Sequence, residues 1–491
     1  MIDLINSKVN DFATAHYMTT EALTHTHSAT EPQPRRVLGL RDLVLFYVVV
    51  TLSLRWLPLA AAAGPSTIII WLIGVLVIFL PLALCVMELS SRYPQEGGLY
   101  VWSKHAFGDS AGFLTGWIYW TSNLPYFPVL LYFAASNALY VGGNRWHALQ
   151  SSPSFFIGFS MIGLALALVL NIVGLNVGKW LNNLGAVGTW IPIVLLFGLA
   201  LMAWAKFGAA TSFRAESFKP SFSLTNFGIW ATMLSAFAGA EAASIMGSEI
   251  RHPRRDIPRA LIISGFLIVA GYVLGTIAIL VVVPREQLNS LEGLIQAISG
   301  SGERVGWPGL GSTVALLICI ANLGTVGAYL AAVARLPFVV GIDRYLPPMF
   351  ARVHPRWGTP HVALIVQGVC SVLFVVMGQA GSSIRGAYQV LISTTVIATF
   401  LPYLFMFAAL IRLQREPADP GVVRIPGGKP VATAIAILGF TATLLVVAGS
   451  VIPDASEPNK VLAVVKVVLL SAALVGAGLA LYWVGKRRAR A

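Results

Sequence analysis

Thr51-Leu52-Ser53-Leu54-Arg55-Trp56-Leu57-Pro58 sits near the middle of the first long apolar run of this chain. Phe237-Ala238-Gly239-Ala240-Glu241-Ala242-Ala243-Ser244 sits near the middle of the sixth. Each stretch sets a charged side chain beside a residue that disturbs a helix. Pro58 lacks the backbone N–H and clashes with the preceding turn, so it is expected to free the carbonyl of Leu54. Gly239 lies next to a carboxylate at mid-depth of its run. Irregular backbone within a bilayer is tolerated only where it is buried in protein or lines a wet cavity. The two stretches therefore read as breaks with a purpose.

Working outward, a bilayer is crossed by about 20 consecutive apolar residues in a helix. Twelve such stretches are predicted, at about 41–63, 67–90, 110–140, 154–175, 183–204, 226–248, 260–283, 309–332, 361–378, 386–411, 431–452 and 460–484. Spans of this length have to be helices, because the hydrocarbon offers backbone amides no outside partner. Composition agrees: 57% of the residues are hydrophobic, only 11% are charged, and mean hydropathy is +0.77. Soluble domains carry roughly 25% charged residues, so lipid is the second solvent. The expected fold class is all-α and integral to the membrane.

The formal net charge of +13 does not imply a nucleic-acid partner. Lys and Arg cluster in short loops, largely on the side that holds both chain ends and the loops after even-numbered spans. That side carries Arg92, Arg251, Arg254, Arg255, Arg412 and Lys486, among others. By the positive-inside rule it is cytoplasmic, with both termini inside. Residues 1–38 are polar, lack the apolar stretch of a signal peptide, and read as a disordered cytoplasmic tail. Residues 39–485 form the membrane domain, and 486–491 a basic cytoplasmic tail. Cys85, Cys319 and Cys370 lie inside apolar runs and read as small buried hydrophobes, without a disulfide framework or a metal site. Lys466, less than two turns into the last run, is expected to snorkel to the outer surface.

The breaks fall in spans one and six, the equivalent members of two five-helix halves. Interrupted helices at matching places are the sequence pointer to a transporter's substrate site. A half-helix N-terminus suits a substrate carboxylate, and freed carbonyls suit an ammonium or a cation. Arg55 and Glu241 are intramembrane charges, which default to a functional reading; a structural ion pair between the two spans is the alternative. Asn123 and Tyr126 in span three, Asn322 and Thr325 in span eight, and Ser393 and Thr394 in span ten outline a pocket wall, each being otherwise interhelical glue. Trp117, Tyr119 and Trp120 read as packing aromatics, with a substrate lid as the alternative.

Three further segments resemble a known family. They are Glu88-Leu-Ser-Ser-Arg-Tyr-Pro94-Gln-Glu96-Gly97-Gly98-Leu-Tyr100-Val-Trp102 with Phe107-Gly108 and Gly112-Phe113, then Gly247-Ser-Glu249-Ile-Arg-His-Pro253-Arg-Arg-Asp256-Ile-Pro258-Arg-Ala260, then Ala334-Arg335-Leu-Pro-Phe with Asp343-Arg-Tyr-Leu-Pro347 and His354-Pro-Arg-Trp-Gly-Thr-Pro360. In order and at matching spans, they are similar to the amino acid–polyamine–organocation permeases over nearly the whole chain beyond residue 38. The resemblance implies two inverted five-helix repeats (LeuT-like) plus two C-terminal helices, with substrate between the breaks and access alternating between the two sides. Carried over by position, Leu52, Ser53, Leu54 and Arg55 match the unwound part of span one, and Phe237, Ala238, Gly239 and Glu241 that of span six. Physically, Gly97-Gly98 permits a tight inner turn, and Glu249 and Asp256 facing Arg255 and its neighbours form a candidate inner gate, solvated surface pairs being the alternative.

This chain departs from the family in two places. Glycines usual in the first break are replaced by Leu and Arg, so the Arg55 guanidinium is expected to grip a carboxylate bidentately in their stead. A Lys found in span five of proton-coupled relatives corresponds to Thr189, which leaves H+ coupling, Na+ coupling, exchange and facilitation open. No cofactor is expected. A buried Arg opposes a purely cationic substrate, so a zwitterionic or acidic amino acid is expected, with its carboxylate near Arg55 and its ammonium near Glu241. A polyamine or organocation permease, a non-transporting nutrient sensor and a channel are the rival readings. An enzyme is not expected, since His-Glu-x-x-His and a phosphate loop are both missing from the sequence.

Overall fold

A computed structural model of the chain describes residues 38–488, apart from 96, 174, 289–290, 335–344, 353, 418 and 454–456; within helices the side chains of 143–144, 147, 175–187, 246, 248–249, 331–332 and 351 are also left aside. The N-terminal tail, Arg335, Asp343, the side chain of Glu249 and residues 489–491 of the basic tail lie outside the described residues.

The described fold is helical throughout. In chain order it comprises α1 (Leu40–Thr51), α2 (Trp56–Ala63), α3 (Ser66–Arg92, with a π turn at Val75–Phe79), α4 (Leu99–Phe107), α5 (Asp109–Thr121) and α6 (Asn123–Ala138). Then come α7 (Pro153–Val173), α8 (Leu175–Phe207), α9 (Leu224–Leu234), α10 (Pro253–Val282), α11 (Gly293–Val305) and α12 (Leu310–Val333). The last four are α13 (His361–Gln379), α14 (Ile384–Leu413), α15 (Gly428–Ser450) and α16 (Lys460–Arg488).

Among the described residues nine helices are each long and apolar enough to cross a membrane, ten if α1 and α2 count as one bent span. The protein is thus an integral, multi-pass membrane protein. Twelve stretches were expected. The difference lies in the third, divided at Ser122 into α5 and α6, and the sixth, divided at its break. The fourth and fifth stretches extend toward each other, leaving a single residue between α7 and α8. The short helices α4 and α11 were not expected: neither is long enough to span, and α11 has the polar-and-apolar pattern of a helix lying along a surface.

Two polar clusters, one buried and one partly exposed, tie elements of the bundle together. At the end of α3, Glu88 is almost fully buried. It accepts Arg92 Nε at 2.9 Å, Gln414 Nε2 at 2.5 Å and the Ile425 amide at 3.0 Å. That cluster joins α3 to the loop following α14. Lys466 does more than reach water. Its ammonium donates to the carbonyls of Gly378 (3.0 Å) and Ala380 and to Ser382 Oγ (2.8 Å), so it closes the C-terminus of α13, where exposed carbonyls and the helix dipole favour a cation. Cys85 is buried; Cys319 and Cys370 are half-buried, and all three are free.

Candidate functional site

Both breaks exist. α1 stops at Thr51 and α2 begins at Trp56, with 52° between their axes. Leu52 is extended, at φ −77° and ψ 91°. Pro58 occupies the first turn of α2, where proline is tolerated. It does not free the Leu54 carbonyl, which accepts the Leu57 amide at 3.3 Å. In the sixth span α9 tightens into a 3-10 turn at Ser235–Phe237, Ala238 is extended, and a second 3-10 helix runs Ala242–Glu249. Between them Gly239 has φ +118°, a region that only glycine enters without strain. A Cβ there would stand 2.9 Å from Thr51 Oγ1 and 3.0 Å from Val50 Cγ1. The two interruptions are in direct contact because this residue has no side chain.

Between them lies a cavity of about 80 Å³, several times the roughly 10–15 Å³ that a single water requires. Span one contributes Val50, Thr51, Ser53, Arg55 and Trp56, and span six contributes Ser235, Ala236, Ala238, Gly239 and Glu241. Tyr119, Ser122, Asn123 and Tyr126 of α5 and α6 form a second wall, with Tyr329 from α12. Ile392, Thr395, Val396, Thr399 and Phe400 of α14 make the third, mostly apolar wall.

Arg55 is 7% exposed. Its guanidinium lies over the rings of Trp56, at 4.3 Å, and Tyr126, at 4.8 Å. Nε and Nη1 are buried without a hydrogen-bond partner among the described residues. Glu241, 1% exposed, is differently placed: Oε1 accepts the Tyr119 hydroxyl at 2.8 Å and Oε2 the Gly239 amide at 3.1 Å. The Gly239 amide also lies 3.3 Å from the Tyr403 hydroxyl. No salt bridge joins Arg55 to Glu241 among the described residues. The ion-pair alternative is therefore not realised in this conformation. The site presents a positive group with open donors at one pole and a carboxylate already held by donors at the other.

Of the residues read from the sequence, Ser53, Arg55, Ala238, Gly239, Glu241, Asn123 and Tyr126 line the cavity. Leu52, Leu54, Phe237, Asn322 and Ser393 do not. Leu52 packs toward Gly271 on α10, Leu54 is buried, and Phe237 sits edge-on to Trp71 and Tyr272. Asn322 returns its side-chain amide to the Ile318 carbonyl at 2.8 Å. Ser393 faces a separate small recess near Pro453 and Glu457. Thr189 is half-buried on α8. At the candidate gate Asp256 is buried in the first turn of α10, and neither it nor Arg255 forms an ion pair among the described residues, whereas Arg254 stands 4.0 Å from Asp419 in an exposed pair. Tyr119, read as packing, and Tyr329, which donates to the Val50 carbonyl at 3.2 Å, belong to the site. Nothing in their sequence context separates them from other span aromatics.

The amino acid permease family matches residues 38–473. Relatives include an uncharacterised transporter of Legionella pneumophila, 30% identical and covering 87% of this chain and 92% of its own. A glutamate/gamma-aminobutyrate antiporter of Lactococcus lactis is 26% identical, with 81% and 80% covered. A probable agmatine/putrescine antiporter of the same species is 23% identical, with 78% and 83% covered. Among solved structures, MhsT in complex with L-phenylalanine shares the fold at TM-score 0.58 and 15% identity, over 85% of this chain and all of that one. On these matches, and with two broken helices meeting at a polar cavity, the chain belongs to the amino acid permease family of the amino acid–polyamine–organocation superfamily and is a multi-pass membrane transporter of small molecules.

Proposed function

We propose that this transporter carries an amino acid across the inner (plasma) membrane by alternating access, binding it between the two breaks with its carboxylate on Arg55 and its ammonium toward Glu241. The observation that carries this reading is a buried guanidinium on a residue that lines the cavity, with two N–H groups that have no partner among the described residues. Leaving donors of a charged group unsatisfied in a dry site is costly. A carboxylate from a ligand supplies an acceptor for a charge-assisted contact with this guanidinium. Glu241 gives the cavity a compensating charge, which fits a zwitterion or an acidic amino acid carrying an ammonium. The glutamate/gamma-aminobutyrate antiporter among the relatives acts on carboxylate-bearing amines, consistent with this choice.

On the same reading the chain crosses the membrane twelve times with both termini in the cytoplasm. α5 and α6 together make the third crossing, and the segment from Leu224 to Glu249 the sixth. Spans one to five and six to ten form inverted repeats, and the last two helices stand outside them. No cofactor takes part. The gradient that drives the step is H+ or Na+, or a counter-substrate.

A panel of labelled amino acids and amines in proteoliposomes, with and without imposed H+ and Na+ gradients, tests the proposal. Saturable uptake and counterflow of one or more amino acids is the expected result. Uptake of agmatine or putrescine with no amino acid carried would replace it with the organocation reading that the other relative supports. Linear conductive flux, or none for any probe, would replace it with a channel or a sensor.

A further inference from the structure

The residue that joins the two breaks belongs to neither. Tyr272, on α10, is fully buried and does not line the cavity. Its hydroxyl nevertheless meets three backbone groups. It accepts the Ser53 amide at 3.3 Å, donates to the Thr51 carbonyl, and lies 3.2 Å from the Ala236 carbonyl. The ring is fixed on both sides. It stacks on Trp71 with centroids 4.5 Å apart and planes 4° from parallel, and Phe237 meets it edge-on at 5.8 Å. Trp71 Nε1 donates to Thr276 Oγ1 at 3.1 Å, and that hydroxyl donates to the Tyr272 carbonyl at 2.7 Å.

A phenol carries one proton and two acceptor lone pairs. It can accept from Ser53 and, at any moment, donate fully to only one carbonyl. Thr51 belongs to span one and Ala236 to span six, so the two broken helices draw on a single hydrogen. Neither carbonyl has another donor among the described residues. When the hydroxyl serves one, the other is left short in a site that offers no bulk water, which is costly. Any displacement of one break relative to the other alters which carbonyl is served.

We propose that Tyr272 is a positioning residue: by sharing one hydroxyl proton between the Thr51 and Ala236 carbonyls it staples the two breaks into one unit, and through its bond to the Ser53 amide it sets the backbone that presents Ser53 and Arg55 to the cavity. The second half of this statement rests on the cavity being the substrate site; the staple itself does not.

Tyr272→Phe removes the hydroxyl and keeps the ring on Trp71. Thr276→Val loosens the ring's surroundings and leaves the hydroxyl, so it is the control. Hydrogen–deuterium exchange is followed on the full chain in nanodiscs, for peptides covering residues 48–58 and 235–244. Exchange in both peptides should rise together, by about tenfold, in Tyr272→Phe and stay within about twofold of the parent in Thr276→Val. A rise in only one peptide, or in neither, overturns the shared staple. In proteoliposomes the variant should raise KM for a carried amino acid more than it lowers the maximal rate. Coupled exchange with an unchanged KM leaves the staple standing and removes the cavity as the substrate site. Should Tyr272→Phe fail to fold, 3-fluorotyrosine at 272, a stronger donor and weaker acceptor, is expected to change exchange in both peptides together, and a change in neither or in only one overturns the proposal.

Discussion

Arg55→Ala takes from the cavity a guanidinium whose Nε and Nη1 hydrogens meet no acceptor among the described residues. If the guanidinium holds a substrate carboxylate through two N–H groups, the variant loses two charge-assisted hydrogen bonds. Each is worth roughly 1.5–3 kcal/mol, so together about 3–6 kcal/mol. At about 1.4 kcal/mol per factor of ten, affinity should fall by roughly 10²–10⁴, which abolishes uptake at micromolar substrate. Stability follows a different arithmetic. The contacts over Trp56 and Tyr126 contribute about 0.5–2 kcal/mol each, while a central Arg costs roughly 2.5–3.5 kcal/mol to place in the bilayer. These nearly cancel, so the melting temperature should move by only a few degrees. Arg55→Lys keeps the charge but not the fork, and should lie between parent and Ala. Uptake into proteoliposomes, together with thermal unfolding of the purified variants, separates the two effects. An Arg55→Ala protein that is folded and transports with the parent KM would refute the assignment of the carboxylate to this residue.

Three further substitutions test other parts of the structure. Gly239→Ala forces a Cβ onto a backbone at φ +118° and against Thr51 Oγ1; the strain alone is about 1–3 kcal/mol, so both the melting temperature and uptake should fall. Lys466→Met keeps the apolar stem but uncaps α13, and should cost about 1–3 kcal/mol in thermal unfolding while leaving KM within about twofold; an unchanged melting temperature would show that the carbonyls of Gly378 and Ala380 do not depend on the ammonium. Glu88→Gln leaves Arg92 buried without its counter-charge, a loss of about 3–5 kcal/mol readable as a lower melting temperature. Equal stability of that variant would mean that the pair is solvated.

The sequence made the membrane class and both breaks legible, because hydropathy, proline, glycine and misplaced charge act locally. Arg55 and Glu241 stood out for the same reason. What it did not settle is which face of each span turns inward. Leu52 and Phe237 are neighbours of cavity residues yet point into packing, since an irregular segment has no helical period from which to read direction. Asn322 and Ser393 are polar at mid-span, but the rotation of their helices, set by contacts along the whole length, turns them elsewhere. Tyr272 carries no signal in the sequence, because its ring resembles any buried aromatic and its role resides in one oxygen reaching the backbone of two distant helices. Lys466 is anomalous by its charge, but its partners lie at the end of α13 and just beyond it, far away in sequence.

Beyond the second break the chain is wound as a 3-10 helix over eight residues, Ala242–Glu249. At about 2.0 Å of rise per residue such a segment reaches about 16 Å, whereas the same residues as an α-helix would reach about 12 Å, at 1.5 Å each. Rewinding alone would therefore draw the segment's ends about 4 Å closer with no residue unfolding. Gly97 and Gly98, whose turn rests on Ser244 and Ile245, sit where that change of length would be felt first.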